Sequence, residues 1–244
     1  MPTFKLTLEY DGSRYHGWQI QPHVPTVQGV LETAIRQVAQ QHVKVIGAGR
    51  TDAGVHALGQ VAGFTTTASL SADEWLRALN GLLPEDIAAL TVEPVPDTFH
   101  ARFAAKSKLY RYRILARPHR AALDRHRVWH IWYALDVAAM RDAAACLIGN
   151  YDFSAFQGAL SNTKDPMCDM TRLSVESSGD EVVIEITAAR FLKQMVRTIV
   201  GTLVEVGRGK LERAAVAKIL AARDRTKAGP TAPAHGLYLV RVEY

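Results

Sequence analysis

The sequence GAGRTDAGVHA, residues 47–57, connects two segments that have the composition of β-strands. Val43–Ile46 precedes it and is mostly β-branched, and Val61–Thr65 follows it as a second apolar run. The glycines of the connection let the backbone turn sharply and approach another molecule closely. We therefore predict a strand, a glycine-rich loop and a second strand, with the carboxylate of Asp52 presented on the loop.

Apolar periodicity on either side of this unit predicts further strands and helices. Phe4–Tyr10 alternates apolar and polar residues, as a half-buried strand does. A helix opened by Pro25 and Thr26 carries apolar residues on one face, and Ser71 lies three residues before Glu74 in a capping box. The other predicted elements are strands at Leu109–Leu115, Val182–Thr187 and Leu237–Tyr244 and helices at Val137–Ile148, Phe191–Val206 and Glu212–Ala222. Such a mixture indicates an α+β or α/β fold.

The composition is that of a folded protein. Of 244 residues, 48% are hydrophobic and 22% are charged, which excludes a disordered or collagen-like chain. No stretch approaches the ~18 apolar residues that a bilayer crossing needs, and the first residues lack a signal-peptide core. Cys146 and Cys168 are the only cysteines and stand in no CxxC spacing, so we expect a reduced, cytoplasmic protein.

Charge is distributed unevenly along the chain. Residues 1–107 hold 8 basic and 10 acidic side chains, whereas residues 108–244 hold 21 basic and 14 acidic ones. We expect these two ranges to be two α/β halves, of which only the second is basic. Within Lys108–His130 the arginines are opposed in sequence only by Asp124. The excess indicates a polyanionic partner such as nucleic acid, the alternative being a basic face that serves solubility.

The loop carries the strongest chemical signal. Arg50 stands two residues before Asp52, and a nearby cation keeps a carboxylate ionised and oriented. Such a carboxylate can act as a nucleophile, a general base or a metal ligand. The alternative is an Asx-turn with a charged neighbour. The glycines match neither a phosphate loop nor a dinucleotide fingerprint, and the scattered histidines, His56 included, form no metal motif.

Two further segments are candidates for nucleic-acid contact. In the strand at 109–115, Tyr110 and Tyr112 share one face and Arg111 and Arg113 the other, which is typical of a base-stacking platform or of an ordinary strand with buried aromatics. In the helix predicted at 191–206, Arg197 has apolar neighbours. Together with Arg190 and Lys193, at spacings of seven and four residues before it, Arg197 is expected to form a basic face of this helix. A partly buried arginine needs a partner, and Asp52 is a carboxylate that could supply one.

Taken together, these segments resemble the tRNA pseudouridine synthase A family over nearly the whole chain. After Pro166, however, this chain has Met167 and Cys168 where the family pattern has an aliphatic and then a basic residue. The resemblance is carried, in the family's order, by Leu8–Gln19 (LEYDGSRYHGWQ), Thr26–Gln28 (TVQ), Gly49–Ala57 (GRTDAGVHA), Phe99–Phe103 (FHARF), Tyr110, Asp152–Ser154 (DFS), Phe191–Arg197 (FLKQMVR) and Thr231–Leu239 (TAPAHGLYL).

The resemblance implies a pseudouridine synthase fold: an α+β fold with a mainly antiparallel central sheet from two similar α/β halves, flanking helices and a cleft between them. It implies isomerisation of uridine to pseudouridine at positions 38 to 40 of the tRNA anticodon stem-loop, without a cofactor or a metal. A base inside a stem must be flipped out before a side chain reaches it. The resemblance also implies that tRNA is the partner and that the protein does not associate with membranes. Because the family is homodimeric, it implies a homodimer as well.

The resemblance also implies roles for individual residues. Asp52 matches the catalytic aspartate, and Arg197 matches the basic residue that pairs with it. Tyr110 matches the tyrosine that stacks on the flipped uracil and assists removal of the C5 proton. Leu237 matches the apolar wall against the base, and the Arg50 loop is suited to holding the displaced strand.

Two other functions compete with this interpretation. A non-catalytic RNA-binding module would use the Tyr110 strand and the basic surfaces without needing Asp52. A glycosidase would need two carboxylates flanking one bond, and no second acid accompanies Asp52 in its loop.

Overall fold

The computed structural model describes residues 1–159 and 165–244. These form two compact units, one made of Met1–Lys106 with Tyr238–Tyr244 and the other of Ser107–Leu237. The predicted division into an N-terminal half, residues 1–107, and a C-terminal half, residues 108–244, stays a prediction. No helix among the described residues has both the length and the apolar character that crossing a bilayer requires.

Helices are interspersed among the strands of the described chain. The strands are β1 (Thr3–Tyr10), β2 (Ile46–Gly47), β3 (His56–Thr65), β4 (Ile87–Val95), β5 (Ser107–Ala116), β6 (Trp129–Ile131), β7 (Gly149–Asp152), β8 (Met167–Ser178), β9 (Glu181–Ala188) and β10 (Leu237–Glu243). The helices are α1 (Val27–Ala39), α2 (Ala72–Leu82), α3 (Val137–Ala144), α4 (Met195–Gly207) and α5 (Ala215–Ala222).

In the first unit the strand order is β4-β1-β3-β10. β1 pairs antiparallel with both β3 and β4, and β10 pairs parallel with the start of β3, where Tyr238 faces His56. The alternation predicted for β1 is confirmed, since Phe4 and Leu6 are buried. The predicted capping box of α2 is present as well, with its two side chains bonded reciprocally to backbone N–H groups.

In the second unit the strand order is β5-β9-β8-β7, and all three pairings are antiparallel. β6 adds to β5 in the parallel direction. α4 is buried along almost its whole length. Gly201 allows this packing, because a Cβ there would lie 1.8 Å from the Pro230 carbonyl oxygen. Both units thus combine helices with mostly antiparallel sheets, and the α+β class is confirmed.

Several predicted boundaries are wrong for local reasons. The predicted strand at 43–46 is only Ile46–Gly47, because the backbone of Val45 bonds to α1 side chains instead: its N–H donates to Glu32 Oε1 and its carbonyl accepts from Gln28 Nε2. α3 ends at Ala144 and passes into a 3₁₀ turn, and α5 begins at Ala215 rather than at residue 212.

The basic face predicted for α4 is also wrong. The helix begins at Met195, because Gln194 has a left-handed backbone with φ of 58° that an α-helix cannot contain. Arg190 and Lys193 therefore precede the helix, and only Arg197 of the three lies in it. The strands β4, β6, β7 and β8 were not predicted, and β4 continues through Pro94 to Val95.

Candidate active site

The glycine-rich loop lies between β2 and β3 and is fixed at both ends. At its start, the N–H of Ala48 donates to the Val61 carbonyl at 2.7 Å, and Gln60 Nε2 donates to the Gly49 carbonyl at 2.9 Å. At its end, the N–H of Val55 donates to the carbonyl of Asp52 at 3.1 Å, which closes a turn that begins at Asp52. The chain thus has the predicted strand–loop–strand unit, and the loop is an ordered turn.

Within this loop the two charged side chains differ in burial. Asp52 is half-buried, whereas Arg50 is exposed. Gly54 occupies the turn with φ of +78°, a conformation that L side chains rarely adopt. The carboxylate of Asp52 is therefore held on a turn that only a glycine closes easily. It is partly buried and still in contact with solvent.

Buried polar side chains on β1 and β3 form hydrogen bonds with the loop. The Tyr10 hydroxyl lies 2.8 Å from Thr51 Oγ1, and Gln60, which is fully buried, reaches both Tyr10 and the Gly49 carbonyl. Burial raises the pKa of Tyr10 to about 12, and its hydrogen bonds with Thr51 and Gln60 oppose that rise. These supports were missed at the sequence level. The available signal was Gln60, a polar residue inside an otherwise apolar strand.

The side chain of His56 is part of the packed interior of the first unit. Its side chain is buried, its Nδ1 accepts the N–H of Gly12 at 3.0 Å, and its ring stacks on Tyr238 with centroids 4.9 Å apart. The described residues contain no group of three or more histidine, cysteine or acidic side chains arranged to hold a metal ion.

The other predicted site residues lie in the second unit or at its edge. Tyr110 is 7% exposed, and its ring meets that of Phe191 edge to face at 4.9 Å. Arg197 is half-buried in the first turn of α4, where its Nε donates to the Ala232 carbonyl at 2.8 Å. Leu237 is 6% exposed and is the last residue of that unit. Tyr110 and Arg197 are thus each fixed by a contact within the second unit, and Leu237 is buried at its end.

The strand β5 is not an exposed stacking platform. Tyr112 is fully buried, and its hydroxyl donates to the Pro233 carbonyl at 2.7 Å. Burial raises the pKa of Tyr112 far above its ordinary value, with nearby Arg197 opposing the rise. Of the two readings of this strand, buried aromatics describe Tyr112, while Tyr110 keeps a small exposed area beside Phe191.

The arginines of β5 are paired with acids that lie far from them in the sequence. Arg111 forms an ion pair with Glu185 at 2.7 Å, and Arg113 forms one with Glu181 at 2.6 Å. Both acids belong to β9, which lies beside β5 in the sheet. Asp124 is therefore not the only acid that opposes the basic segment, and part of its positive charge is neutralised within the second unit.

Comparison with known proteins identifies the family. The family model for tRNA pseudouridine synthase matches residues 7–104 and 143–244. A protein of Afipia carboxidovorans is 49% identical over 245 residues, with both chains covered completely, and is named tRNA pseudouridine synthase A. Proteins of the same name from Thermoanaerobacter sp. strain X514 and Myxococcus xanthus are each 47% identical over all of this chain, covering 100% and 92% of their own lengths. The chain belongs to the tRNA pseudouridine synthase family.

Proposed function

We propose that the protein isomerises uridine to pseudouridine in the anticodon stem-loop of tRNA, at positions 38 to 40. The full-length relatives carry the name of an enzyme that makes pseudouridine in tRNA. Within the structure, the observation that carries the proposal is the ordered turn that presents a half-buried Asp52. A binding module would not need a carboxylate at such a position, because a negative charge repels phosphate.

The reaction rearranges one nucleotide without adding or removing atoms. The bond from uracil N1 to ribose C1′ breaks, uracil turns while still bound, and a bond forms between its C5 and C1′. C5 then loses its proton and N1 gains one. Asp52 is the carboxylate in this scheme, and three routes agree with the residues: attack on C1′, addition to uracil C6, or proton abstraction that leads to a glycal.

Four other residues complete the proposed site. Tyr110 stacks on the uracil and assists the C5 proton transfer, Leu237 forms an apolar wall, and Arg50 contacts the displaced strand. Arg197 is the proposed charge partner of the aspartate. Its support is the hydrogen bond from Nε to the Ala232 carbonyl, which fixes the guanidinium plane. By the same resemblance the protein acts in the cytoplasm as a homodimer.

The test compares wild-type protein with Asp52→Asn on one tRNA. Pseudouridine is mapped with carbodiimide after incubation, and tRNA affinity is measured in parallel. We expect wild-type protein to modify positions 38 to 40, and Asp52→Asn to bind tRNA without forming pseudouridine. Pseudouridine formed at the wild-type rate by Asp52→Asn would refute the catalytic role. Binding without modification by wild-type protein would favour the binding module.

A further inference from the structure

One sequence motif has no role in the proposed reaction. The segment Asp11–Trp18, which we call the brace segment, belongs to the motif LEYDGSRYHGWQ and lies against the Asp52 loop. The N–H of Trp18 donates to the carbonyl of Thr51 at 3.0 Å, and the N–H of Gly54 donates to the carbonyl of Tyr15 at 3.3 Å. These two bonds hold the loop on both sides of Asp52.

Two glycines of the brace segment bring it into close contact with the loop. A Cβ on Gly17 would lie 2.5 Å from the Thr51 carbonyl oxygen and 3.1 Å from the carbonyl carbon of Asp52. A Cβ on Gly12 would lie 2.0 Å from the Val55 carbonyl oxygen. With no space between the two backbones, a displacement of the brace segment displaces the loop as well.

The brace segment is itself anchored at Asp86. The Tyr15 hydroxyl donates to Asp86 Oδ1 at 2.5 Å, and the N–H of Asp11 donates to the Asp86 carbonyl at 2.9 Å. Tyr15 is 7% exposed and the Asp86 side chain 11%. The other carboxylate oxygen of Asp86 is buried without a hydrogen bond from any described residue, and Arg14 lies 3.5 Å from it. Tyr15 therefore supplies the side-chain hydrogen bond to this carboxylate.

We propose that Tyr15 and Asp86 are positioning residues, whose hydrogen bond sets the place of Asp52 through the brace segment. The inference rests on the proposed function, because it concerns the reaction assigned to Asp52. Neither residue touches the substrate in this scheme. Losing the bond lets the brace segment shift, which misplaces the carboxylate while the tRNA-binding surfaces stay intact. Misplacement by about 1 Å can cost on the order of 100-fold in rate.

The experiment measures single-turnover rate constants with enzyme in excess, tRNA dissociation constants and thermal midpoints for Tyr15→Phe and Tyr244→Phe. Tyr244 is the matched control, because its hydroxyl donates to the Ala101 carbonyl at 2.7 Å in the same unit and this bond, like that of Tyr15, is partly buried. We expect Tyr15→Phe to lower the rate constant about tenfold or more, with the dissociation constant changed by less than about twofold. Tyr244→Phe should lose stability without such a loss of rate.

Variants of Asp86 separate positioning from general destabilisation. Asp86→Asn keeps an oxygen that accepts from Tyr15, so it should retain most of the rate, while Asp86→Ala should match Tyr15→Phe. The double variant Tyr15→Phe/Asp86→Ala should lose no more than either single variant, since both remove one bond. Equal rates for Tyr15→Phe and wild type, or equal losses in Tyr15→Phe and Tyr244→Phe, would overturn the proposal. An active Asp52→Asn would instead overturn the proposed function.

Discussion

The hydroxyl of Tyr10, at the end of β1, lies 2.8 Å from Oγ1 of Thr51, the residue immediately before Asp52. Both atoms are buried, so the first strand of the chain is joined to the loop by a hydrogen bond that water does not replace. The local chemistry of the site therefore depends on packing that spans 41 residues of sequence.

Replacing Thr51 with Val should destabilise the protein. Among the described residues, the variant leaves the buried Tyr10 hydroxyl with only the longer contact to Gln60 at 3.5 Å, and an unsatisfied buried hydroxyl costs about 1–3 kcal/mol. Urea denaturation measures the change in the free energy of unfolding. Thr33→Val is the control, because its hydroxyl is exposed on α1, and it should cost less than about 0.5 kcal/mol. Equal losses in the two variants would contradict the buried support.

Arg197→Met should reduce activity far more than Arg117→Met. Arg197 is the proposed cation for the aspartate, and losing a positioned charge partner costs about 10²-fold or more in rate. Arg117 carries the same charge but bonds to the His119 carbonyl on the surface of the second unit. Single-turnover pseudouridine formation measures both. Similar losses would show that the assignment of Arg197 is wrong.

Tyr110→Phe should bind tRNA as wild type does and form pseudouridine more slowly. The ring and its edge-to-face contact with Phe191 remain, but a hydroxyl that assists proton transfer contributes about 10²–10⁴ in rate. Tyr112→Phe is the control, since it removes a buried hydroxyl on the same strand that bonds only to backbone among the described contacts. A turnover unchanged in Tyr110→Phe would remove the proposed role of its hydroxyl.

The capping box of α2 should make stability depend on pH. Bonds from the backbone N–H and the hydroxyl of Ser71 lower the pKa of Glu74 below its ordinary value. A carboxylate whose pKa is lowered on folding stabilises the protein above its unfolded pKa, and this contribution is lost as the pH falls through the folded value. Wild type should therefore exceed Glu74→Gln in stability at pH ~7 and lose that advantage at pH ~3. Chemical denaturation at both values measures this, and an advantage that persists at the lower pH would contradict it.

Local sequence patterns predicted those features of the fold and of the site whose geometry is decided by neighbouring residues. The alternation of β5 predicted that Tyr110 and Tyr112 share a face, the Ser71–Glu74 spacing predicted the capping box, and the glycines around Asp52 predicted a loop between two strands. Each of these features depends on residues a few positions apart. They are therefore visible without knowledge of the fold.

Features that depend on distant residues could not be predicted. The ion pair of Arg111 with Glu185 joins residues 74 positions apart, and only the pairing of β5 with β9 brings them together. The start of α4 follows from the left-handed backbone of Gln194, although the apolar periodicity of the preceding residues favours a longer helix. Val45 fails to form a strand because α1 side chains satisfy its backbone.

The pairing of β10 with β3 has a consequence for biosynthesis. Tyr238 stacks on His56 and pairs with it in the sheet, although 182 residues separate them, so a nascent polypeptide that has not reached Tyr238 lacks the neighbour of that strand end. Until then the backbone beside the Asp52 turn keeps an open edge, which is prone to pair with other chains. A polypeptide that stops before Tyr238 would therefore leave the backbone beside Asp52 exposed to such pairing while the rest of its fold forms.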